Sequence, residues 1–234
     1  TSKIQFKSDA TYFFHITKLI NFTDWTKEFR DFNEKDILSL VEKQKLPIIY
    51  KEKWELDKLA KNNHQGIIMD VVDFNYVSLD KLITNDSSRL IILDHLEDPH
   101  NLGAIIRTVE ASGIDGIILP KNRSVEVNET VMKTSVGALY NVKIAQVTNL
   151  NQTIKRLKQE GYWIIGTDMD GVNYQEVTYP AKCALIIGSE GFGMSRLVKE
   201  SCDYIVSIPM QGKINSLNAS VAAGIMIYEL IRKR

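Results

Sequence analysis

Three polar segments of the 234-residue chain carry residue types from which a reaction site could be built. In the last, Ile208-Pro209-Met210-Gln211-Gly212-Lys213-Ile214-Asn215-Ser216-Leu217-Asn218, an apolar strand ends at a proline and a polar loop leads into a small-residue helix. Many free backbone and side-chain hydrogen-bonding groups then gather at a strand end, where open α/β sheets bind ligands. Ser216 is expected to cap the helix, with Asn218 just inside it. The second segment, Gly188-Ser189-Glu190-Gly191-Phe192-Gly193, is a glycine-rich turn between strand and helix, the usual form of a phosphate cradle. Its glycine order, G-x-x-G-x-G, departs from the dinucleotide fingerprint, and no Gly-Lys-Ser/Thr follows. Glu190 would also set a carboxylate against a phosphate, an unfavourable like-charge pairing. A cationic or hydroxyl-bearing ligand suits this turn better, although the glycines alone could simply permit a tight bend.

The first segment runs from Asp94 to Thr108 and holds His95, His100, Asn101 and Arg107. Asn101 stands where a helix begins, and Arg107 follows after about 600° of helical rotation, so the two do not share a face by periodicity. They converge only if Asn101 lies in the loop, and Arg107 reads equally well as a surface ion-pair partner. No cysteine or third histidine lies at ligand spacing from His95 and His100, so no metal site is expected.

The elements that position these segments alternate. From Leu90 onward, short apolar strands at 90–93, 116–119, 142–145, 163–166, 184–187 and 204–208 are separated by helical patterns at 102–112, 128–134, 150–160, 194–200 and 217–231. Strands without polar alternation, separated by helices, predict a parallel sheet buried on both faces. The last helix is apolar around most of its circumference, which predicts burial on more than one side, against the sheet and a partner subunit. Upstream, a helix over 34–44, a strand over 47–50, a helix over 54–60 and a strand over 67–72 form a smaller α/β module. The polar stretch Thr84–Ser88 separates the two, giving an N-terminal domain at 1–86 and a second at 87–234.

Composition restricts the function classes. Lys plus Arg and Asp plus Glu are 29 each, so no global field advertises a nucleic-acid partner, and only a local basic face could serve one. Lys43, Lys45, Lys51 and Lys53 are candidates for such a face or for a merely solvated one. No apolar run reaches the roughly 18 residues of a membrane span, and no secretory pattern opens the chain. The two cysteines, Cys183 and Cys202, are expected to be buried packing residues of a reduced, cytoplasmic protein.

Together the segments resemble the SpoU (TrmH-like) family of RNA 2′-O-ribose methyltransferases, of the SPOUT class. The matching residues are Asp98-Pro99-x-Asn101-x-Gly103-x-x-x-Arg107-Thr108, Gly188-Ser189-Glu190-Gly191-x-Gly193, and Ile208-Pro209-Met210-x-Gly212-x-x-x-Ser216-Leu217-Asn218-x-Ser220-Val221-Ala222. Asn63-His64-Gln65-Gly66 resembles a segment of the branch that modifies guanosine in large-subunit (23S) ribosomal RNA. The resemblance implies an α/β fold with a parallel-sheet methyltransferase domain closed by a C-terminal trefoil knot, preceded by a small RNA-binding domain. It implies a homodimer through the knot and S-adenosylmethionine held by backbone around Thr167, Gly188, Ile208 and Leu217. It assigns catalysis to Arg107, Asn101, Glu190, Ser216 and Asn218. Because arginine holds its proton up to a pKa above about 12, Arg107 is read as a clamp on phosphate and developing alkoxide. Transfer-RNA methylation, a catalytically silent RNA-binding assembly factor and a nucleotide-dependent oxidoreductase are the rival expectations.

Overall fold

The structure is a computed structural model describing residues 2–4, 14–20, 39, 41–43, 48–59, 67–71, 74–84 and 86–232. The chain divides into two compact units, Thr1–Asn75 and Tyr76–Arg234. Residues just after this division belong with the second unit. Val77 makes a parallel bridge to Ala145, and Leu82 is buried in that unit's core.

In the first unit, β1 (Ser2–Ile4), β2 (Phe14–Ile20), β3 (Ile48–Tyr50) and β4 (Ile67–Val71) form a four-stranded sheet in the order β1-β4-β2-β3. Strand β2 pairs parallel with β4 and antiparallel with β3. Helix α1 (Lys53–Leu59) supplies Leu56, which packs with Ile68 of β4 in a small core. The helix expected over 34–44 is described only at residues 39 and 41–43, which are helical. Asn63–Gly66 and Lys45 lie outside the described residues. Lys43 is exposed, while Lys51 pairs with Glu55 at 3.5 Å.

The second unit is built on β5 (Ser88–Asp94), β6 (Gly116–Pro120), β7 (Ile144–Val147), β8 (Trp163–Asn173), β9 (Lys182–Gly188) and β10 (Tyr204–Ser207). All five neighbouring pairs are parallel, in the order β10-β8-β9-β5-β6-β7, so the six expected strands form the expected parallel sheet. Between them run α2 (Pro99–Ser112), α3 (Glu129–Thr134), α4 (Leu150–Gln159), α5 (Arg196–Glu200) and α6 (Ala219–Ile231). Every residue of β5 is buried. Successive side chains of a strand alternate between faces. Leu90 and Ile92 accordingly share a core with Leu150, Ile154 and Leu157 of α4 and Val198 of α5. Ile91 and Leu93 are left to the opposite face, where α2 packs against α3 and α6.

Three element boundaries differ from expectation for identifiable reasons. Helix α2 begins at Pro99 because Asp98 caps it, accepting from the His100 N–H, and proline suits the first helical position. Strand β8 runs on through the polar Asp168–Asn173, since a register shift at Ile205/Val206 lets Val172 and Asn173 pair with Val206 and Ser207. Helix α6 begins at Ala219 because Asn218, not Ser216, is its cap. One close approach fixes α2 on α3: a Cβ at Gly103 would stand 2.6 Å from Thr134 Cβ and 3.1 Å from the Val131 carbonyl oxygen. Gly103→Ala is therefore expected to lower stability by about 1–3 kcal/mol, the usual range for overpacking, as measured by urea denaturation.

Candidate active site

The chain passes outward from β5 through β6 to β7, then returns to the other side of β5 for β8, β9 and β10. Strand order thus reverses between β5 and β9, and loops leaving their carboxyl ends must diverge, opening a crevice. Asp94 and Gly188 lie side by side at that edge. The loop after β5 leads to Asn101, the loop after β9 carries Glu190, and the loop after β10 carries Ser216 and Asn218.

One oxygen joins all three. Glu190 Oε1 accepts from Asn101 Nδ2 at 2.6 Å, from Asn218 Nδ2 at 2.8 Å and from the Ala219 N–H at 3.4 Å. The Asn218 amide also works in the opposite sense at its other end. Its Oδ1 accepts from the N–H groups of Ser220 and Val221, at 3.0 and 3.4 Å, and from Ser220 Oγ at 2.6 Å. Donor and acceptor ends of one amide are thereby both committed, one to a carboxylate and one to a helix N-terminus. An ionised aspartate, which only accepts, could not serve both.

A second carboxylate secures the Gly188–Gly193 turn from behind. Asp94 is fully buried, yet both its oxygens are satisfied, Oδ2 by the Ser195 N–H at 2.7 Å and Oδ1 by His95 Nδ1. His95 adopts a left-handed conformation, φ 58°, which turns the chain back over Asp94. Within the turn, Ser189 and Gly193 exchange two backbone hydrogen bonds of 3.0 Å, and Gly191 and Gly193 take positive φ values of 82° and 66°. These glycines are conformationally required.

Beside the carboxylate lies a cavity of about 750 Å³ lined by Thr167, Asp168, Gly188, Glu190, Ile208, Ser216, Leu217, Asn218 and Met226, among others. The residues expected around a cofactor (Thr167, Gly188, Ile208 and Leu217) all line it, and so do Glu190, Ser216 and Asn218. Thr167 turns its hydroxyl to the Ile186 carbonyl oxygen at 2.9 Å, leaving backbone to face the space. Among the described residues Asp168 and Glu190 are the only charged lining side chains, so the wall suits a cation and not a phosphate. Ser216 is exposed and makes no hydrogen bond among the described residues.

Asn101 and Arg107 part company, as helical rotation requires. Asn101 is 4% exposed and reaches Glu190 from inside the first turn of α2, whereas Arg107 is exposed on the outer face of that helix. Arg107 is absent from the cavity wall and pairs with no acidic group among the described residues. The described residues contain no cluster of His, Cys, Asp or Glu fit for a metal. Cys183 is buried and Cys202 partly so, and burial pushes their thiols up to about 11 and about 12, which makes both unreactive. Among the described residues no helix is long and apolar enough to cross a membrane.

Two features of the site escape sequence reading: the clamp of Asp94 on Ser195, and the presence of Asp168 in the wall. For Asp94 the available signal is a carboxylate closing an otherwise apolar strand. For Asp168 it is polarity immediately after Ile165–Gly166.

Comparison with known proteins places this geometry. Residues 88–228 match the SpoU rRNA Methylase family, and residues 25–77 match RNA 2′-O ribose methyltransferase substrate binding. A Staphylococcus haemolyticus protein described as a TrmH family tRNA/rRNA methyltransferase is 48% identical over 205 residues, covering 85% of this chain and 82% of its own. Bacillus subtilis YacO, similarly described, is 44% identical over 204 residues with 85% and 82% covered. The crystal structure of the A. aeolicus TrmH/SpoU tRNA modifying enzyme superposes with a TM-score of 0.59 at 31% identity, covering 66% of this chain and 79% of that one.

If Glu190 couples the loops, truncations of its partners should not add. Asn101→Ala and Glu190→Ala are expected to show a coupling energy of about 0.5–2 kcal/mol in a double-mutant cycle followed by urea denaturation. Additivity within about 0.3 kcal/mol would contradict the coupling.

Proposed function

The chain belongs to the SpoU rRNA methylase family, and on that premise we propose that it is an S-adenosylmethionine-dependent RNA 2′-O-ribose methyltransferase acting on a guanosine of 23S ribosomal RNA. The observation that carries this reading is the meeting of Asn101, Asn218 and Glu190 on one oxygen at the rim of the cavity.

The cavity fits the methyl donor. Its volume, about 750 Å³, falls within the range of small-molecule sites. Its apolar lining from Ile208, Leu217 and Met226 suits an adenine ring, and its charged side chains are acidic, matching a ligand with a positive sulfur. Structures of more distant fold relatives contain AdoMet, including AviRb of Streptomyces viridochromogenes and an rRNA methyltransferase of Sinorhizobium meliloti. When bound, S-adenosylmethionine supplies a methyl group already activated by sulfonium charge. The protein has to place the ribose hydroxyl in line with it, exclude water and stabilise charge on the hydroxyl oxygen.

Thr167, Gly188, Ile208 and Leu217 hold the donor, while Ser216 and Asn218 hold the ribose. Asn101 and Glu190 fix the position of Asn218. Arg107 is exposed, has no acidic partner among the described residues and lies off the cavity wall of its own chain. As a clamp on an RNA phosphate and the developing alkoxide it would therefore act on a ribose held by a second copy of the chain. The target nucleotide is unpaired, because a ribose packed in a helix cannot enter the crevice.

The reading includes a second copy of the chain. On α6, Val221 is 50% and Tyr228 53% exposed, one apolar stripe on a helix whose other residues are buried or half-buried. A homodimer would cover that stripe, with the C-terminal segment threaded as a trefoil knot. The assignment to ribosomal RNA rests on Asn63–Gly66. Transfer RNA is the second reading, favoured by the A. aeolicus relative's description as a tRNA modifying enzyme.

Purified protein should transfer labelled methyl from S-adenosylmethionine to 23S rRNA transcripts and not to tRNA; label on tRNA alone would favour the second reading. Arg107→Ala should lose at least about a hundredfold in turnover, the scale of losing one charge-stabilising donor, with donor affinity by calorimetry within about twofold of wild type. Near-normal turnover of Arg107→Ala would remove it from the mechanism.

A further inference from the structure

Asp168 has no role in the account so far, yet it lines the cavity. It stands at the edge of the sheet, in the residues of β8 just beyond Gly166. Its side chain is 19% exposed, and Lys199 of α5 holds Oδ2 at 2.9 Å. Oδ1 takes the Asp170 N–H at a long 3.3 Å. A carboxylate offers about four acceptor sites, so this one retains capacity. The neighbouring hydroxyls keep lone pairs but carry no charge, and their hydrogens are already committed. Thr167 Oγ1, Ser189 Oγ and Ser207 Oγ donate to the carbonyl oxygens of Ile186, Gly193 and Gly171.

Ionisation of Asp168 is secured. Burial opposes it, but the Lys199 ammonium and the N–H groups of Asp170 and Met169 outweigh that and hold the carboxyl below its ordinary range. The group is therefore an acceptor at any physiological pH. Lys199 braces it from α5 and is not itself part of the cavity wall.

Resting on the methyltransferase reading above, we infer that Asp168 is a donor-binding residue, its carboxylate accepting hydrogen bonds from a hydroxyl or ammonium group of the bound methyl donor. S-adenosylmethionine carries both kinds of donor group, a ribose diol and an α-ammonium. Asp168 supplies a charged anchor beside the backbone and apolar side chains that hold the donor.

Calorimetry on the purified full chain tests this. Asp168→Asn keeps the shape and the Asp170 contact but loses the charge. It should weaken S-adenosylmethionine and S-adenosylhomocysteine alike, on the order of tenfold, the scale of one charge-assisted hydrogen bond at a partly exposed site. 5′-Methylthioadenosine, which keeps the diol and lacks the ammonium, locates the contact. Equal weakening identifies the ribose hydroxyls, and unchanged binding identifies the ammonium. Lys199→Met removes the brace and leaves the acceptor, so it should stay within about threefold of wild type.

The inference is overturned if Asp168→Asn binds S-adenosylmethionine and S-adenosylhomocysteine like wild type. It is equally overturned if only S-adenosylmethionine weakens, since that marks attraction to the sulfonium charge alone. A loss in Lys199→Met as large as that in Asp168→Asn also overturns it, by assigning Asp168 to the ion pair. Failure of the wild-type chain to bind any of the three ligands would instead strike the methyltransferase reading itself.

Discussion

Glu190 Oε1, on the loop after β9, receives Asn101 from the segment after β5 and Asn218 and the Ala219 N–H from the segment after β10. The carboxylate is exposed, so each bond contributes about 1 kcal/mol, a modest amount. Its importance is positional. The crevice exists because strand order reverses between β5 and β9, and that reversal drives the loops apart. A single acceptor common to three donors draws them back over the mouth of the cavity. Asn218 extends the constraint into α6, since the amide that donates to Glu190 also caps that helix. The position of the last helix and the shape of the site are thus one problem with one solution.

The sheet supplies the rigid base. Strand β5 is buried along its whole length, and Asp94 at its end fastens the glycine turn through the Ser195 N–H. A fully buried carboxylate survives there because both oxygens have partners, which offsets its desolvation. Glycines then let the turn fold tightly enough to present Glu190 outward. The division of labour is between a buried carboxylate that fixes backbone, an exposed one that gathers side chains, and a third, Asp168, that lines the cavity and is braced by Lys199.

Much of this was legible in the residues. Continuous apolar strands such as Leu90–Leu93 and Ala184–Ile187 could only be interior, and their alternation with helical patterns dictated a parallel sheet. The misordered glycines and Glu190 pointed away from a phosphate ligand, and among the described residues the cavity wall carries no cationic side chain. The rest depended on distant partners. Ser216 and Asn218 are both good caps by local chemistry, and Glu190, 28 residues away, accompanies the choice of asparagine. The polar end of β8 becomes strand only because β10 shifts register to meet it. Strands β1 and β2 have little apolar pattern of their own and are defined by pairing with β4, more than 45 residues on. Separation of Arg107 from Asn101 was, by contrast, readable from helical rotation alone.

The central claim is that these loops bring an RNA ribose to an activated methyl group. Its most direct test is a map of ribose methylation across total RNA from cells with and without the gene. The account predicts that one position of 23S rRNA, a guanosine in an unpaired segment, loses its 2′-O-methyl group and regains it when the gene is restored. Identical ribose-methylation maps of ribosomal and transfer RNA in both strains would contradict it.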